Sequence, residues 1–230
     1  MKLLLIGHGR MGRLVETLAA DEGFEFVGAV TGSNAAADWP AADVAIDFSI
    51  AAAVPATVTR LARQRMAIVI GTTGWQEHEK AVRAAVGAAG IGVVAAPNFA
   101  IGVNVFLAVV DRMGALMAAQ PSFGAWIHES HHAAKRDAPS GTALAMAQRL
   151  RGQGYTADVP IASTRAGSIP GTHTLGFDAA SETITLTHQA RDRAAFARGA
   201  LVAARWVMGR TGWFTMSDVL NLSDGGANER

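Results

Sequence analysis

The chain contains no cysteine. Disulfides, thiolate metal sites and cysteine nucleophiles are excluded, and the absence fits a reducing compartment. An excess of either charge is also missing. Lys and Arg number 20 against 19 Asp and Glu, for a net charge of +1, and the arginines are dispersed. No basic stripe exists to hold a nucleic-acid backbone, and the composition is not that of a disordered chain. Long hydrophobic runs are lacking as well. Leu3 to Ile6 is too brief for the apolar core of a signal peptide, and a buried first strand accounts for it. Ile101 to Val110 is interrupted by Gly102 and Asn104 and then meets Asp111 and Arg112, which argues against a membrane span. The expectation is a soluble cytoplasmic protein with neither nucleic acid nor membrane as partner.

Half of the 230 residues are hydrophobic, enough for a sizeable core. Apolar runs at Leu3–Ile6, Phe24–Val30, Val44–Phe48, Ala67–Ile70 and Ile91–Ala95 predict strands. Helical patterns at about 10–21, 50–65 and 76–89 lie between them. This alternation predicts a parallel sheet with helices on both faces, its strands buried on both sides. After Pro97-Asn98 the pattern changes. Helices are predicted at 103–119, 140–150 and 193–209, and strands at 123–129 and 183–189. Residues 152–174, rich in Gly, Pro, Ser and Thr, have loop character. The fold class is α/β: a Rossmann-like parallel sheet followed by an α+β region with a mixed or antiparallel sheet.

Gly7-His8-Gly9-Arg10-Met11-Gly12 matches G-x-G-x-x-G between the first strand and the first helix. There the glycines permit a tight turn and close approach of a pyrophosphate to helix amides. The second strand should end in an acid that holds the ribose 2′-hydroxyl. Instead it runs into Thr31-Gly32-Ser33-Asn34. Nothing in that loop repels a 2′-phosphate, Ser33 and Asn34 offer donors, and Arg10 adds charge, so both NADPH and NADH remain open. Gly71-Thr72-Thr73 and Ala96-Pro97-Asn98-Phe99 follow later strands, at carboxyl ends where ligands bind in open sheets.

Residues 128–142 read HESHHAAKRDAPSGT and concentrate titratable groups as no fold requires. His131 and Lys135 lie four apart, near a helix start at Ser140 whose amides at Gly141 and Thr142 suit a carboxylate. His128 to His132 also satisfies H-E-x-x-H, but that zinc signature needs a helix and a third ligand. The run looks strand-like, so no metal is expected. The other histidines, His8, His78, His173 and His188, read as structural or exposed, with His173 in GTHT the one nearest a motif.

With GHGRMG, GTTGW, APNFAIGVNVF, ESHHAAKRDAPSGTA, PGTHTLGF and GWFTMSDVL in this order, the chain resembles the 4-hydroxy-tetrahydrodipicolinate (dihydrodipicolinate) reductases of lysine and diaminopimelate biosynthesis. The resemblance implies that His131 is a proton donor or acceptor and Lys135 a proton donor. It makes His132 a substrate contact and Gly141-Thr142 the carboxylate-binding pair. Gly7 to Gly12, Ser33, Gly71 to Thr73 and Ala96 to Phe99 correspond to the cofactor's contacts. It further implies a nucleotide domain at 1–98 completed by 208–230, a substrate and oligomerisation domain at 99–207, and a homotetramer. Two features depart from the family pattern: the glycine loop is one residue shorter than the commoner form, and the second strand lacks its acid. Two other readings stay open, a Rossmann dehydrogenase of the aspartate or homoserine type and a nucleotide-sensing domain without turnover.

Overall fold

A computed structural model describes residues 1–222, and the chain divides into two compact units. One comprises Met1–Ile101 and the chain from Arg193 on; the other is Gly102–Asp192.

In the first unit, β1 (Lys2–Ile6), β2 (Glu25–Val30), β3 (Val44–Asp47), β4 (Ala67–Ile70) and β5 (Gly92–Ala95) are the predicted apolar runs, trimmed by a residue or so. A late strand, β10 (Gly212–Phe214), joins them in a parallel sheet of order β2-β1-β3-β4-β5-β10. Alternation along each strand sends side chains to opposite faces. Leu3, Leu5, Val44, Ile46, Val69 and Val94 pack with α1 (Arg10–Ala19) and α6 (Ala194–Val207). Leu4, Ile6, Ala45, Ile68, Ile70 and Val93 pack with α2 (Val54–Arg63) and α3 (Glu79–Ala89). Both faces are thereby covered, and the strands need apolar residues at every position. Each fully buried Leu or Ile is worth roughly 1.5–3 kcal/mol. A short α7 (Met216–Val219) closes the described chain, begun by a reciprocal capping box between Thr215 and Asp218.

The resemblance implies a return to this unit at about 208, whereas the compact unit takes the chain up again at Arg193. Ala197, Ala200, Leu201, Ala204 and Val207 bury one face of α6 in the sheet's core. Its small residues allow close packing: a Cβ at Gly199 would fall 1.7 Å from the Phe99 carbonyl oxygen.

The second unit holds α4 (Ile101–Met117), which begins at the boundary, then β6 (Gly124–His131), α5 (Gly141–Gly152), β7 (Ile161–Arg165), β8 (Gly171–Asp178) and β9 (Thr183–Ala190). The sheet order is β7-β6-β8-β9, with only the β6–β7 pair parallel. Phe106, Val110 and Met117 of α4, Ala143, Met146 and Leu150 of α5, and Ala125, Ile127, Leu175 and Phe177 of the sheet form its core. The sole tyrosine, Tyr155, pins the start of β6. Its hydroxyl accepts from the Ala125 amide at 2.8 Å and donates to the Phe123 carbonyl at 2.9 Å. Residues 152–174 are not all loop, since β7 and the start of β8 lie within them. β7 is an edge strand with an exposed middle, so it carries no apolar signature.

Candidate active site

The glycine turn sits at the point where the parallel sheet reverses its winding, between β1 and β3. Gly7 has φ +88°, and its amide donates to the Val30 carbonyl at 2.8 Å. A Cβ there would meet the Phe48 carbonyl oxygen at 2.5 Å, and one on Gly12 would fall 2.2 Å from the Gly7 carbonyl oxygen. At Gly9 the same atom would meet nothing within 4 Å. Two glycines are therefore required by packing, and the third leaves space. Helix α1 begins there with no side-chain cap and no acid in its first turn, so its amides face an open cleft. That cleft, about 440 Å³, is lined by Gly9, Arg10, Met11, Phe48, Ser49, Ile50, Ala51, Gly71, Thr72 and Thr73. Space, bare amides and absence of negative charge suit a dinucleotide pyrophosphate.

Behind the cleft, Asp47 is fully buried. Its Oδ1 accepts from the Ser49 amide and the Thr72 hydroxyl, each at 2.8 Å. Burial raises its pKa despite these bonds. Asp47 thus ties together the loops after β3 and β4, and the Thr72 hydroxyl is spent inward rather than on a ligand.

Other predicted cofactor residues separate. Ala96 and Pro97 line a second, smaller recess with Thr72, Trp75 and Trp213. The Phe99 ring is buried in the core, edge-on to Phe48. His8 faces Glu16, Nε2 to Oε2 at 2.6 Å. Ser33 is exposed, its hydroxyl 2.8 Å from that of Thr31. Asn34 is not a spare donor. Its amide group donates to the Ala29 carbonyl, and its carbonyl accepts from the Thr31 amide.

The second constellation forms where β6 ends. Strand alternation sends Glu129 and His131 to the helix-covered face and His128 to the other, where it meets the Thr164 hydroxyl at 3.0 Å. This splits the H-E-x-x-H run across two faces. Glu129 is wholly buried. Arg165 donates to both its oxygens, at 2.9 and 2.7 Å, and the Ser140 amide approaches Oε1 at 3.3 Å. Oε2 lies 2.5 Å from His131 Nδ1. Burial alone would raise the carboxyl's pKa, but bonds from Arg165, Ser163 and His131 outweigh it and hold it down at about 2. The His131 pKa is lowered, first by burial and then by the charges of Lys135 and Arg165, against the pull of Glu129.

His173 is buried, its ring edge-on to His131 at 5.1 Å. Ser140 caps α5 by accepting from the Ala143 amide at 3.3 Å, and its Oγ lies 2.8 Å from His173 Nε2. The hydroxyl can serve the amide and the ring at once, and which of Oγ and Nε2 donates follows from the ring's tautomer. Burial pushes the pKa of this ring down to about 4, so it is neutral near pH 7. The cap leaves the amides of Gly141 and Thr142 without partners among the described residues. After β6 a turn is closed by the Lys135 amide on the His132 carbonyl at 3.1 Å. It places Lys135, whose ammonium pairs with Asp137 at 2.8 Å.

Donor atoms of Glu129, His131 and His173 lie within 4.8 Å of one another, near enough together for a cation. Both oxygens of Glu129 are taken by a guanidinium, however, and His173 Nε2 by a hydroxyl, so a metal would have to displace them. Sequence reasoning missed Arg165, hidden in an apparent loop, and the burial of His173 beside His131. The GTHT motif was the one available pointer to the latter.

A doubly wound parallel sheet with this glycine turn at its switch point defines a dinucleotide-binding α/β protein, here carrying a second unit built around a buried carboxylate–histidine pair. Residues 1–99 match the family described as dihydrodipicolinate reductase, N-terminus, and residues 102–220 match its C-terminus. The chain is 40% identical over 235 residues to the 4-hydroxy-tetrahydrodipicolinate reductase of Acidiphilium cryptum, covering 93% of this chain and 94% of that protein. It is 34% identical to that of Christiangramia forsetii, covering 96% and 98%. A dipicolinate-bound dihydrodipicolinate reductase from Paenisporosarcina sp. TG-14 has the same fold, with TM-score 0.77 at 22% identity, covering 94% and 97%. The chain belongs to the dihydrodipicolinate reductase family.

Proposed function

We propose that the protein reduces 4-hydroxy-tetrahydrodipicolinate to tetrahydrodipicolinate with NADPH or NADH, in lysine and diaminopimelate biosynthesis. Family membership over both halves supports the reaction. The observation that carries the site is the convergence of His131, Lys135 and the unpartnered amides of α5 at the end of β6.

Gly7 to Gly12, with Ser33, Gly71 to Thr73 and Ala96 to Phe99, would hold the cofactor. When bound it supplies a hydride to C4 of an unsaturated cyclic dicarboxylate. The protein's own residues do the rest. Gly141 and Thr142 donate amide hydrogens to one substrate carboxylate, and His132 contacts the substrate beside them. The Lys135 ammonium pairs with negative charge as it develops and delivers a proton, and His131 exchanges protons at the same site. Dipicolinate, bound in the Paenisporosarcina enzyme, is a planar dicarboxylate and should compete for the same amides. Residues 1–98 with the end of the chain thus serve the cofactor, and the middle of the chain serves the substrate.

The polar outer face of the four-stranded sheet and its exposed edge strand β9 support assembly through that sheet, as a homotetramer. Among the described residues no helix is long and apolar enough to cross a membrane, which is compatible with a cytoplasmic enzyme. The test is oxidation of NADPH and of NADH, followed by absorbance, with freshly generated hydroxy-tetrahydrodipicolinate. Turnover with at least one cofactor is expected. None with either would overturn the reading in favour of a nucleotide-sensing protein. Turnover only with an open-chain amino acid would favour the aspartate or homoserine type.

A further inference from the structure

We propose that Glu129 is a positioning residue that fixes the tautomer of His131, and that Arg165 holds Glu129 in place to do so. The inference rests on the reading of His131 as a proton-exchanging group.

The geometry allows little else. Glu129 is 0% exposed, and Arg165 grips both its oxygens. A carboxylate so held can only accept, so at 2.5 Å it takes the proton on His131 Nδ1. In the neutral ring Nε2 is then bare and is the atom that exchanges protons. Nε2 lies over the backbone of β8, where Gly171 has no side chain: a Cβ there would be 2.9 Å away. When Nε2 takes a proton its N–H bond forms, Nδ1 keeps its own, and the imidazolium is stabilised by the fixed anion. On release, the Nε2–H bond breaks and the ring returns to the same tautomer.

Groups from every neighbouring element face this ring. Glu129 shares its strand, Arg165 stands on β7, His173 on β8, and Lys135 in the following turn. His188 of β9 lies beyond His173 and acts on it. Arg165 and Lys135 oppose protonation of His131, and His173 is held neutral chiefly by burial. Asp137 pairs with Lys135 rather than with the ring, so Glu129 is the anion in contact with His131, and the basicity of His131 depends on it.

The test uses the full chain. Nitrogen-15 NMR of the wild-type histidines should show His131 protonated at Nδ1 and bare at Nε2 near neutral pH; the opposite tautomer would overturn the proposal. Glu129→Gln offers an amide donor in place of the acceptor. It should move the proton to Nε2 and shift the acid limb of kcat/KM to lower pH. It should also cut kcat by about 10² or more with cofactor affinity unchanged. Arg165→Lys, which keeps the charge but loses the two-pronged grip, should shift the same limb by less. An unmoved limb and unchanged tautomer, with loss only in proportion to folded protein, would make Glu129 purely structural. The two levels of failure are distinguishable. A wild-type enzyme without reductase turnover defeats the functional reading, whereas an active enzyme whose limb ignores Glu129 defeats only this one.

Discussion

Gly171 faces the ring on which the proposed proton transfer depends, so Gly171→Ala isolates the position of His131 from its chemistry. The added Cβ would lie 2.9 Å from Nε2 and 3.0 Å from Cδ2. Ordinary contact begins near 3.4 Å, so the ring must yield by roughly half an ångström. A free imidazole would rotate away at little cost. This one is tethered at Nδ1 by Glu129 at 2.5 Å, so it moves only by stretching or breaking that bond. Gly171 is not among the residues with positive φ, and alanine suits an extended strand better than glycine does. The fold should tolerate the change, with a stability difference within about 1 kcal/mol. A misplacement of 1 Å can cost about 10²-fold in rate, so kcat should fall by about tenfold. Dissociation constants for NADPH and NADH should not change. Steady-state kinetics, cofactor titration and thermal unfolding on one preparation suffice. Normal kcat, or a loss matched by unfolding, would refute the reasoning.

Lys135→Ala should lower turnover by about 10²–10⁴-fold with cofactor affinity retained; near-normal turnover would remove Lys135 from its role. Gly12→Ala drives a Cβ to 2.2 Å from a backbone oxygen. Because backbone cannot swing aside, cofactor titration should show at least about tenfold weaker binding, together with a stability loss of about 1–3 kcal/mol. Stability should fall with acid in two stages. His173 ordinarily titrates near 6.5 but in the fold only at about 4. Acid therefore favours the unfolded chain, and up to about 3 kcal/mol is present above pH 6.5 and lost by about pH 4. Glu129, lowered from 4.5 to about 2, adds a further loss between those values. Urea unfolding across this range should show the slope, and His173→Gln should flatten its upper part; a flat wild-type profile would contradict the buried neutral ring.

The parallel sheet was legible because its strands are buried on both faces, so runs such as Leu3–Ile6 carry an unbroken apolar signal. The glycine turn was legible because packing demands Gly7 and Gly12 and close approach of a pyrophosphate would demand Gly9 between them. Strand β7 was not, since Ile161-Ala162-Ser163-Thr164-Arg165 lies at an edge and displays mostly polar side chains. Without β7 the partner of Glu129 could not be seen. Arg165 meets it only through the register that sets His131 opposite Arg165 and Glu129 opposite Ser163. The point at which the first compact unit resumes, Arg193, was hidden for a related reason. Apolar periodicity identifies α6 as a packed helix but does not say which sheet it covers. Likewise, a motif can name His131 and His132, but only strand alternation shows that His128 faces away.

The central claim is that this chain joins reduction by a nicotinamide cofactor to protonation by the cluster at the end of β6. The most direct measurement follows deuterium from a reduced cofactor labelled at its transferable position into the product formed from hydroxy-tetrahydrodipicolinate. The account predicts one cofactor-derived deuterium at C4 of tetrahydrodipicolinate with the wild-type protein, and far slower labelling with Lys135→Ala. Product carrying no cofactor-derived deuterium, or no product while the cofactor remains tightly bound, would contradict it.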